Sequence, residues 1–213
     1  FYMDLRRVRK EYENRGLYEN DLVTNPIDQF KIWYSEIEEV GYLEPNAMVL
    51  STVDKNGSPS GRNVLLKEIR EDGFVFFTNY ESKKATDIEN NEKVSLTFSW
   101  NELRRQVSVE GTAEKIPESE SDEYWAMRPY ETKIGSLVSN QSSRIPSREE
   151  LDTAFETQES KWRGSEVPRP HHWGGYKVLP NFIEFWQGRQ NRLHDRIGYE
   201  LTVQGWIFTR LSP

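Results

Sequence analysis

Short strand-like runs separated by tight-turn signals dominate this chain, and they restrict it to a mostly antiparallel β fold. The run Ala47–Val53 stops at the turn signal Lys55-Asn56-Gly57, and a similar signal, Glu71-Asp72-Gly73, precedes the third run. Five runs come before the central helices and four come after them: Ala47–Val53, Ser60–Ile69, Gly73–Thr78, Val94–Trp100 and Gln106–Ile116, then Gly175–Leu179, Phe182–Gln187, Leu193–Tyr199 and Trp206–Arg210. This order predicts a mostly β protein with added helices (α+β), in which the C-terminal strands close one barrel-like sheet.

Four helices are predicted around the strands, from capping residues and from apolar positions at helical spacing. They run from Asn25-Pro26 to near Gly41, from the N-cap Ser82 over KKATDIEN, from Pro117 through Met127, and from the N-cap Ser147 to about Arg163. Pro129 interrupts the third helix, and residues 132–138 continue as helix or loop. No G-x-G-x-x-G or G-x-x-x-x-G-K-S motif is present, which argues against a Rossmann fold or a P-loop.

Length and composition bound the domain count and exclude several protein classes. We predict a mobile N-terminal arm over residues 1–24 and a single domain over residues 25–213. The net charge of −7 argues against a dedicated nucleic-acid binder, so any anion site must be a local basic pocket. With no Cys and only three His, neither a thiolate nucleophile nor a metal cluster is expected. No apolar run approaches the ~20 residues of a membrane span, and a cytoplasmic location is expected.

The stretch Ile183–Arg196, IEFWQGRQNRLHDR, is the most informative for function. If it is a strand, Arg192, His194 and Arg196 share one face, because side chains alternate along a strand. Two guanidiniums and an imidazole on one face repel each other unless an anion lies among them, and Trp186 offers a flat ring nearby. An anionic, aromatic, phosphorylated ligand would satisfy these groups. The alternative is an edge strand whose cations are simply solvated.

A second basic motif is Arg62-Asn63-Val64-Leu65-Leu66-Lys67, an apolar strand with a cation at each end. The separation of five residues sends Arg62 and Lys67 to opposite faces of a regular strand. They could then serve two different anions, or a bulge could bring them together. Both could equally be charges at the ends of a strand.

A third basic motif, Ser82-Lys83-Lys84, stands at the start of a helix. Unpaired backbone N–H groups and the positive end of the helix dipole attract phosphate there. Lysine is otherwise unfavourable at this end of a helix, so the pair favours an anionic partner.

Weaker candidates have ordinary explanations as polar surface, a solvated helix face or a charged tail. They are Gln106, the pair Gln141-Ser142, the i, i+4, i+8 set Tyr124, Arg128 and Thr132, and the N-terminal Arg9, Lys10, Glu11 and Tyr12. Cations and aromatic residues recur without a nucleophile or a metal set. This combination suits an enzyme whose cofactor carries the chemistry while the protein binds and orients.

Several motifs, in order along nearly the whole chain, resemble the pyridoxine (pyridoxamine) 5′-phosphate oxidase family, which uses flavin mononucleotide (FMN). They are RNVLLK at 62–67, FFTNYESKK at 76–84, RRQVSVEG at 104–111, SNQSS at 139–143, WGGY at 173–176 and IEFWQGRQNRLHDR at 183–196. The resemblance implies a split β-barrel that forms a homodimer, with FMN at the subunit interface.

The resemblance also implies residue roles. FMN contacts are expected from Arg62, Asn63, Val64, Leu65, Leu66, Lys67, Phe77, Thr78, Ser82, Lys83, Lys84, Gln106, Gln141, Ser142, Trp186 and Arg196. Substrate contacts are expected from Arg9, Lys10, Glu11, Tyr12, Lys67, Tyr124, Arg128, Thr132, Arg192, Leu193 and His194. By the resemblance, Lys67, Tyr124, Arg128 and Thr132 of the second set are expected to form the phosphate cradle, and Arg192 and His194 to be the catalytic pair. Two positions depart from the family's usual residues: Lys83, where Arg is commoner, and Thr132, where Ser is usual.

The implied reaction is oxidation of pyridoxamine 5′-phosphate or pyridoxine 5′-phosphate to pyridoxal 5′-phosphate. A hydride passes from substrate C4′ to flavin N5, and oxygen accepts the electrons to give hydrogen peroxide. One rival is a phenazine-biosynthesis oxidase on the same barrel, against which Lys67, Tyr124 and Arg128 argue because its substrate carries no phosphate. The other is a non-catalytic carrier of flavin or pyridoxal phosphate, against which the intact RLHDR and RKEY runs argue.

Overall fold

The computed structural model of this chain describes residues 16–213, and within them it forms eight strands and five α-helices. The strands are β1 (Ala47–Val53), β2 (Pro59–Ile69), β3 (Phe74–Asn79), β4 (Lys93–Trp100), β5 (Arg105–Lys115), β6 (Trp173–Gln187), β7 (Asp195–Thr202) and β8 (Gly205–Leu211). The helices are α1 (Pro26–Glu39), α2 (Lys83–Asn90), α3 (Glu118–Met127), α4 (Tyr130–Val138) and α5 (Arg148–Trp162).

The strands form one antiparallel-type sheet whose order confirms the predicted barrel. That order is β3-β2-β1-β4-β5-β6-β7-β8, with an additional pairing between β3 and β6. The extra pairing closes the first six strands of the order into a ring, which removes their unpaired edges. It runs from Phe74 opposite Val178 to Asn79 opposite Trp173. The prediction of a mostly β fold with added helices, a split barrel, is therefore confirmed.

One strand replaces two predicted ones, so the expected count of nine was wrong. The runs Gly175–Leu179 and Phe182–Gln187 belong to a single strand, β6, which passes through Pro180. Proline cannot donate to a ladder and usually ends a strand. Here the residues up to Val178 pair with β3 and those from Phe182 pair with β7, so Pro180 lies between the two ladders.

The predicted strand Leu193–Tyr199 begins later than expected, at Asp195. The preceding residues form a 3₁₀ turn, Gln190–Arg192, in which Asn191 has a φ of 55° and Arg192 a φ of 60°. Left-handed residues cannot belong to an extended strand. The expectation that Arg192, His194 and Arg196 alternate along one strand face was therefore wrong, because only Arg196 of the three lies in β7.

The chain packs as two compact units. Within residues 16–213, unit 1 comprises residues 16–48, Leu96–Glu110 and Pro180–Pro213, and unit 2 comprises Val49–Ser95 and Gly111–Leu179. The predicted division into an arm over residues 1–24 and one domain over residues 25–213 stays a prediction. Within residues 16–213, no helix has the length and apolar character needed to span a bilayer.

The core of unit 1 is aromatic and is built on helix α1. Asn25 caps this helix by accepting a hydrogen bond from the Ile27 N–H at 2.8 Å, and Pro26 follows it, as predicted. Phe30 packs edge-on against Phe98, with ring centroids 4.8 Å apart, and Trp33 packs in the same way against Phe185. These contacts fix α1 on the sheet.

Contacts also hold the described end of the predicted arm. Leu17 is buried, and its N–H donates to the Asp195 carboxylate at 3.0 Å. The Tyr199 hydroxyl donates to the Val23 carbonyl at 2.8 Å. The candidate residues Arg9, Lys10, Glu11 and Tyr12 lie outside the described residues.

Unit 2 combines the β3–β6 ladder with helices α3, α4 and α5. Buried Trp125, Ile134, Val167 and Trp173 form a cluster on which these helices pack. Pro129 separates α3 from α4, and Arg128 before it is extended, as residues preceding proline usually are. Tyr124, Arg128 and Thr132 therefore do not share one continuous helix, and residues 132–138 are helical.

Tyr176 carries the one buried side-chain polar atom that lacks a hydrogen-bond partner among residues 16–213. Its ring stacks on Phe76 with centroids 5.7 Å apart, and burial raises the pKa of its hydroxyl. We expect Tyr176→Phe to leave the free energy of unfolding unchanged or to raise it by up to ~1 kcal/mol, because an unsatisfied hydroxyl is removed. Denaturant unfolding of the two proteins measures this difference.

Tyr199→Phe is the matched control, because the Tyr199 hydroxyl has a backbone acceptor. It should lower the free energy of unfolding by about 1 kcal/mol. A larger loss for Tyr176→Phe than for Tyr199→Phe would contradict the assignment of the Tyr176 hydroxyl as unsatisfied.

Candidate active site

A cavity of about 700 Å³ opens in unit 2 where β2 and β3 stop pairing. The β2–β3 ladder runs from Ile69 opposite Phe74 to Leu66 opposite Phe76. Beyond Phe76 and before Leu66, residues of the two strands line the cavity. The lining residues are Arg62, Asn63, Val64, Leu65, Lys67, Phe77, Thr78, Asn79, Lys83, Lys84, Tyr124, Arg128, Gly135, Ser136, Ser139, Gln141, Ser142 and Trp173. The volume suits a small-molecule site.

The charge of the cavity is strongly positive although the chain is acidic. Its lining has five cationic side chains, and none of the described residues in it is Asp or Glu. The cations are Arg62, Lys67, Lys83, Lys84 and Arg128. Clustered cations in a concave, partly desolvated site favour an anionic ligand.

A bulge explains how Arg62 and Lys67 reach the same cavity. The register of β2 against β3 shifts between Leu66 and Glu68, so Lys67 lies at the irregularity. Both cations line the cavity, as the bulge alternative anticipated.

Arg62 is locked in place by oxygen atoms of β1 and β2. Its guanidinium donates to the Leu50 carbonyl at 3.0 Å, to the Thr52 hydroxyl at 2.8 Å and to the Ser60 hydroxyl at 2.6 Å. Burial lowers the pKa of Arg62, and nearby Asp87 works against that shift. The side chain is therefore preorganised and pays little conformational entropy on binding an anion.

Asp87 is a buried carboxylate beneath the cations. It accepts hydrogen bonds from Lys83 at 2.8 Å, from Thr52 at 2.7 Å and from Ser60 at 3.3 Å. Burial works to raise the pKa of Asp87, but these hydrogen bonds outweigh it and hold the pKa below its usual value. Asp87 thus stays ionised and fixes Lys83, which lines the cavity.

Lys84 is the most deeply buried cation of the cavity, with 6% of its surface exposed. Burial, with a smaller contribution from the Arg62 charge, lowers the pKa of Lys84 to about 8. Its ammonium donates to Gln141 at 2.5 Å and to the Ser82 hydroxyl at 3.0 Å. These partners are neutral, so an anion would stabilise the protonated form.

The start of α2 presents its backbone to the same cavity. Ser82 occupies the predicted N-cap position, but its hydroxyl donates to the Asn79 carbonyl and makes no capping bond. The Lys83 N–H instead donates to the Ser142 hydroxyl at 3.1 Å, and Ser142 has a φ of 75°. A left-handed serine at this point is a strained position of the kind found at ligand sites.

Stacked aromatic rings form one wall of the cavity. Phe77 stacks on Tyr124 at 4.1 Å and on Trp173 at 5.4 Å. Arg128 lies over Trp173 and donates to the Ser136 hydroxyl at 2.9 Å. Burial lowers the pKa of Arg128.

A second group of predicted residues lies in unit 1, around the start of β7. The Trp186 and His194 rings are 4.7 Å apart, and the Arg189 N–H donates to His194 Nδ1 at 3.0 Å. Burial and the neighbouring charge of Arg192 lower the pKa of His194, so its neutral form is favoured. Arg192 is exposed.

Arg196 is oriented by a two-point ion pair. Its Nε and Nη2 donate to the two carboxylate oxygens of Glu184 at 2.7 and 2.8 Å. Its Nη1 donates to the Ser212 carbonyl at 2.9 Å. Such a fork–fork pair fixes the guanidinium plane and leaves N–H groups for a further acceptor.

The cavity brings together most of the residues predicted for the flavin and phosphate sites. Leu66 and Ser82 are buried beside it without lining it, and the Thr132 hydroxyl donates to the Pro129 carbonyl at 2.8 Å. The predicted residues in unit 1 are not among its lining: Gln106, Trp186, Arg192, Leu193, His194 and Arg196.

Five lining residues were not predicted: Asn79, Gly135, Ser136, Ser139 and Trp173. Trp173 stands in the WGGY motif, which was a usable signal. The three residues of the 135–139 stretch follow Thr132 along α4 and its end, and only the packing of that helix reveals them.

Comparisons with known proteins give a consistent result. A family model described as pyridoxamine 5′-phosphate oxidase matches residues 35–161, and one described as the pyridoxine 5′-phosphate oxidase C-terminal dimerisation region matches residues 173–213. A pyridoxine/pyridoxamine 5′-phosphate oxidase of Leptospira biflexa is 52% identical over 99% of both chains. One from Rubrobacter xylanophilus is 50% identical over 99% of this chain and 97% of its own.

Solved structures show the same fold. PhzG from Burkholderia lata, in complex with tetrahydrophenazine-1-carboxylic acid, has a TM-score of 0.89 and 29% identity, and the match covers 95% of this chain and all of that one. A pyridoxamine 5′-phosphate oxidase-related, FMN-binding protein from Nostoc punctiforme has a TM-score of 0.73 at 16% identity, over 90% of this chain and 100% of its own.

Proposed function

The chain belongs to the pyridoxamine 5′-phosphate oxidase family, and from this premise we propose that it oxidises pyridoxamine 5′-phosphate and pyridoxine 5′-phosphate with FMN as its cofactor. Oxygen is the electron acceptor and hydrogen peroxide the second product. The observation that carries the proposal is the cavity of unit 2, which combines five cations with an aromatic wall. Its volume and charge suit a flat ligand together with phosphate groups.

The donor set of the cavity fits FMN. Arg62, Lys83 and Lys84 would hold the FMN phosphate, with the Ser142 hydroxyl and the first N–H groups of α2 beside them. Phe77 and Thr78 would face the flavin ring through their backbone. Lys84 has neutral hydrogen-bond partners, whereas Asp87 holds Lys83 at 2.8 Å and lies 3.8 Å from Arg62. All three cations are therefore oriented before a phosphate binds, and charge-assisted hydrogen bonds to it would follow.

A second anion position on the aromatic side fits the substrate phosphate. Lys67, Tyr124 and Arg128 would bind it, because all three line the cavity. Thr132, the fourth predicted member, would have to turn its hydroxyl away from the Pro129 carbonyl to take part. This second position argues for a phosphorylated substrate over a phenazine.

FMN, when bound, supplies the hydride acceptor at N5 and returns the electrons to oxygen. The protein's task is placement, since the reacting atoms must approach within roughly 3–3.5 Å. Arg192 and His194 would hold the pyridine ring, and a neutral His194 can donate a hydrogen bond without adding to the charge of Arg192. The amine substrate yields an imine that water hydrolyses to aldehyde and ammonia, whereas the alcohol yields the aldehyde directly.

A homodimer with FMN at the subunit interface is part of the proposal. The match of residues 173–213 to a dimerisation region supports it, and that region contains Trp186, Arg192, His194 and Arg196. We expect light scattering to give a mass near twice 25.1 kDa, with one flavin per chain.

Turnover of the purified protein tests the function. We would record the visible spectrum, add pyridoxamine 5′-phosphate under air, and follow peroxide and aldehyde together. Flavin bands with matched production of both support the proposal. A yellow protein that leaves both B6 phosphates unchanged but oxidises a reduced phenazine carboxylic acid would overturn the proposed substrate in favour of a phenazine. A colourless protein that takes up no FMN would overturn the proposed cofactor as well.

The affinity for FMN should fall as the pH rises above about 8. Without ligand, Lys84 has a pKa of about 8. Bound phosphate favours the protonated form, so above that pH Lys84 takes up a proton when FMN binds. The FMN dissociation constant should then be flat below pH 8 and rise by up to about tenfold per pH unit above it. Fluorescence titration between pH 7 and 9.5 measures this. Lys84→Arg keeps its charge, so its profile should stay flat, and a sloping profile in that variant would contradict the assignment to Lys84.

A further inference from the structure

Trp173, the first residue of β6, is one of the three stacked rings of the aromatic wall of the cavity. The residue is buried, with 6% of its surface exposed. The ring lies within 12° of parallel to Phe77 at 5.4 Å and within 10° of parallel to Tyr124 at 6.0 Å. These are offset-stacked geometries, and each fixes the plane of one ring by the plane of the other.

The same indole also holds a cation. The Arg128 guanidinium lies 4.6 Å from the centroid of Trp173 and 5.0 Å from that of Trp125. Its hydrogen-bond acceptors are the Ser136 hydroxyl and the Thr132 carbonyl, at 2.9 and 3.2 Å. Rings, hydroxyl and carbonyl are all neutral, so they orient the guanidinium without neutralising it.

The backbone around Trp173 is anchored on both sides. Its N–H donates to the Pro170 carbonyl at 3.0 Å, and its own carbonyl accepts from Arg169 at 2.7 Å. The next residue, Gly174, packs so closely that an added Cβ would lie 2.3 Å from the Tyr80 hydroxyl oxygen. The backbone that carries the indole is therefore held in place, so the ring can orient the side chains that pack on it.

We propose that Trp173 is a positioning residue for the substrate phosphate, because its one ring orients both Tyr124 and Arg128. The inference rests on the proposed function, in which these two residues bind that phosphate. Without the indole, Tyr124 is stacked on Phe77 alone, and Arg128 loses one of the two ring faces that hold it. Both side chains then sample other rotamers, and the entropic cost of ordering them weakens the binding of the phosphate.

The experiment compares Trp173→Leu and Trp173→Phe with the wild type, using pyridoxamine 5′-phosphate and unphosphorylated pyridoxamine as substrates. In Trp173→Leu we expect KM for the phosphorylated substrate to rise about tenfold, with kcat within about twofold, since a cation–π contact and a stacked pair are lost. KM for pyridoxamine should change little, so the preference for the phosphorylated substrate falls about tenfold. Trp173→Phe keeps an aromatic face and should restore most of that preference.

A binding measurement separates this role from general damage. Calorimetric titration of the anaerobic, flavin-reduced protein with pyridoxine 5′-phosphate and with pyridoxine reports affinity without turnover. Trp100→Phe is the control, because Trp100 is a buried tryptophan of unit 1 outside the cavity lining. It should lose stability but keep the preference for the phosphorylated ligand.

The outcomes are distinguishable. A wild type that binds both ligands equally would overturn the proposed phosphate site, and the role of Trp173 with it. The wild type could instead prefer the phosphorylated ligand while Trp173→Leu and Trp173→Phe show the same preference as the wild type. That result would overturn the role of Trp173 and leave the phosphate site standing. Loss of the preference in Trp173→Leu and its return in Trp173→Phe would support the inference even if both variants unfold at lower temperature.

Discussion

Replacing Arg192 with Ala should lower kcat/KM for pyridoxamine 5′-phosphate by about 100-fold or more while the protein keeps its FMN. Arg192 lies outside the lining of the unit 2 cavity, where the FMN phosphate is proposed to bind. Its guanidinium is proposed to hold the pyridine ring, so its loss removes orientation and charge stabilisation from the reacting complex. Steady-state kinetics and the flavin absorbance of the purified variant measure the two effects separately.

Two further variants control this experiment. Arg104 has a φ of 53°, close to the 60° of Arg192, so Arg104→Ala makes the same change in the same left-handed backbone region. It should turn over within a few-fold of the wild type. Arg192→Lys keeps the charge but not the planar fork, and should recover only part of the lost activity. Wild-type turnover by Arg192→Ala would remove Arg192 from the catalytic pair.

Lys84→Met should weaken FMN binding by about 30-fold, and the flavin-free protein should become no less stable. A charge-assisted hydrogen bond to phosphate is lost, which accounts for a change of that size. In the flavin-free protein, however, Lys84 is a buried cation with neutral hydrogen-bond partners. An apolar side chain of similar length removes the desolvation penalty of that cation. FMN titration and denaturant unfolding of the flavin-free proteins test the two halves.

Lys93→Met supplies the comparison, because Lys93 is an exposed lysine at the start of β4. It should change neither the FMN affinity nor the unfolding free energy by a measurable amount. If Lys84→Met lost both affinity and stability, the weaker binding would be explained by damage to the fold, and the phosphate role of Lys84 would lose its support.

Local signals in the sequence were enough to place most of the elements. The helix predicted over KKATDIEN is α2, Lys83–Asn90, and the cap at Ser147 accepts from the Glu150 N–H as expected. Caps, turns and apolar spacing act over a few residues, so they can be read without the tertiary structure. The barrel-like sheet was predicted from the succession of strands before and after the central helices, although one strand too many was counted and the strand order was not predicted.

Features set by long-range packing could not be predicted in the same way. Asn191 and Arg192 both have a left-handed backbone, although neither is a glycine, the residue that usually indicates this conformation in a sequence. An arginine rarely adopts it. The runs on either side of Pro180 were predicted as two strands because the change of partner from β3 to β7 cannot be seen in the sequence. The shift of register at Lys67 was left as one of two alternatives, since β2 alone does not reveal it.

The candidate site was predictable only in part for a related reason. Basic motifs and the family resemblance identified the cations, but Ser136 and Ser139 reach the cavity through the packing of α4. Trp173 stands in the WGGY motif, but that motif gave no role to the ring, since a tryptophan in a strand usually belongs to the core. Its importance appears only when its distances to Tyr124 and Arg128 are known.

The close approach of Gly174 to Tyr80 restricts which relatives of this chain can exist. The Tyr80 hydroxyl donates to the Gly175 carbonyl at 2.9 Å and occupies the space where a side chain at position 174 would begin. A mutation that adds a side chain at 174 must expel the phenol, whereas a smaller residue at 80 opens the space first. A substitution of Gly174 should therefore be accepted only after Tyr80 has been replaced by a smaller residue, and the two positions should covary in descendant sequences.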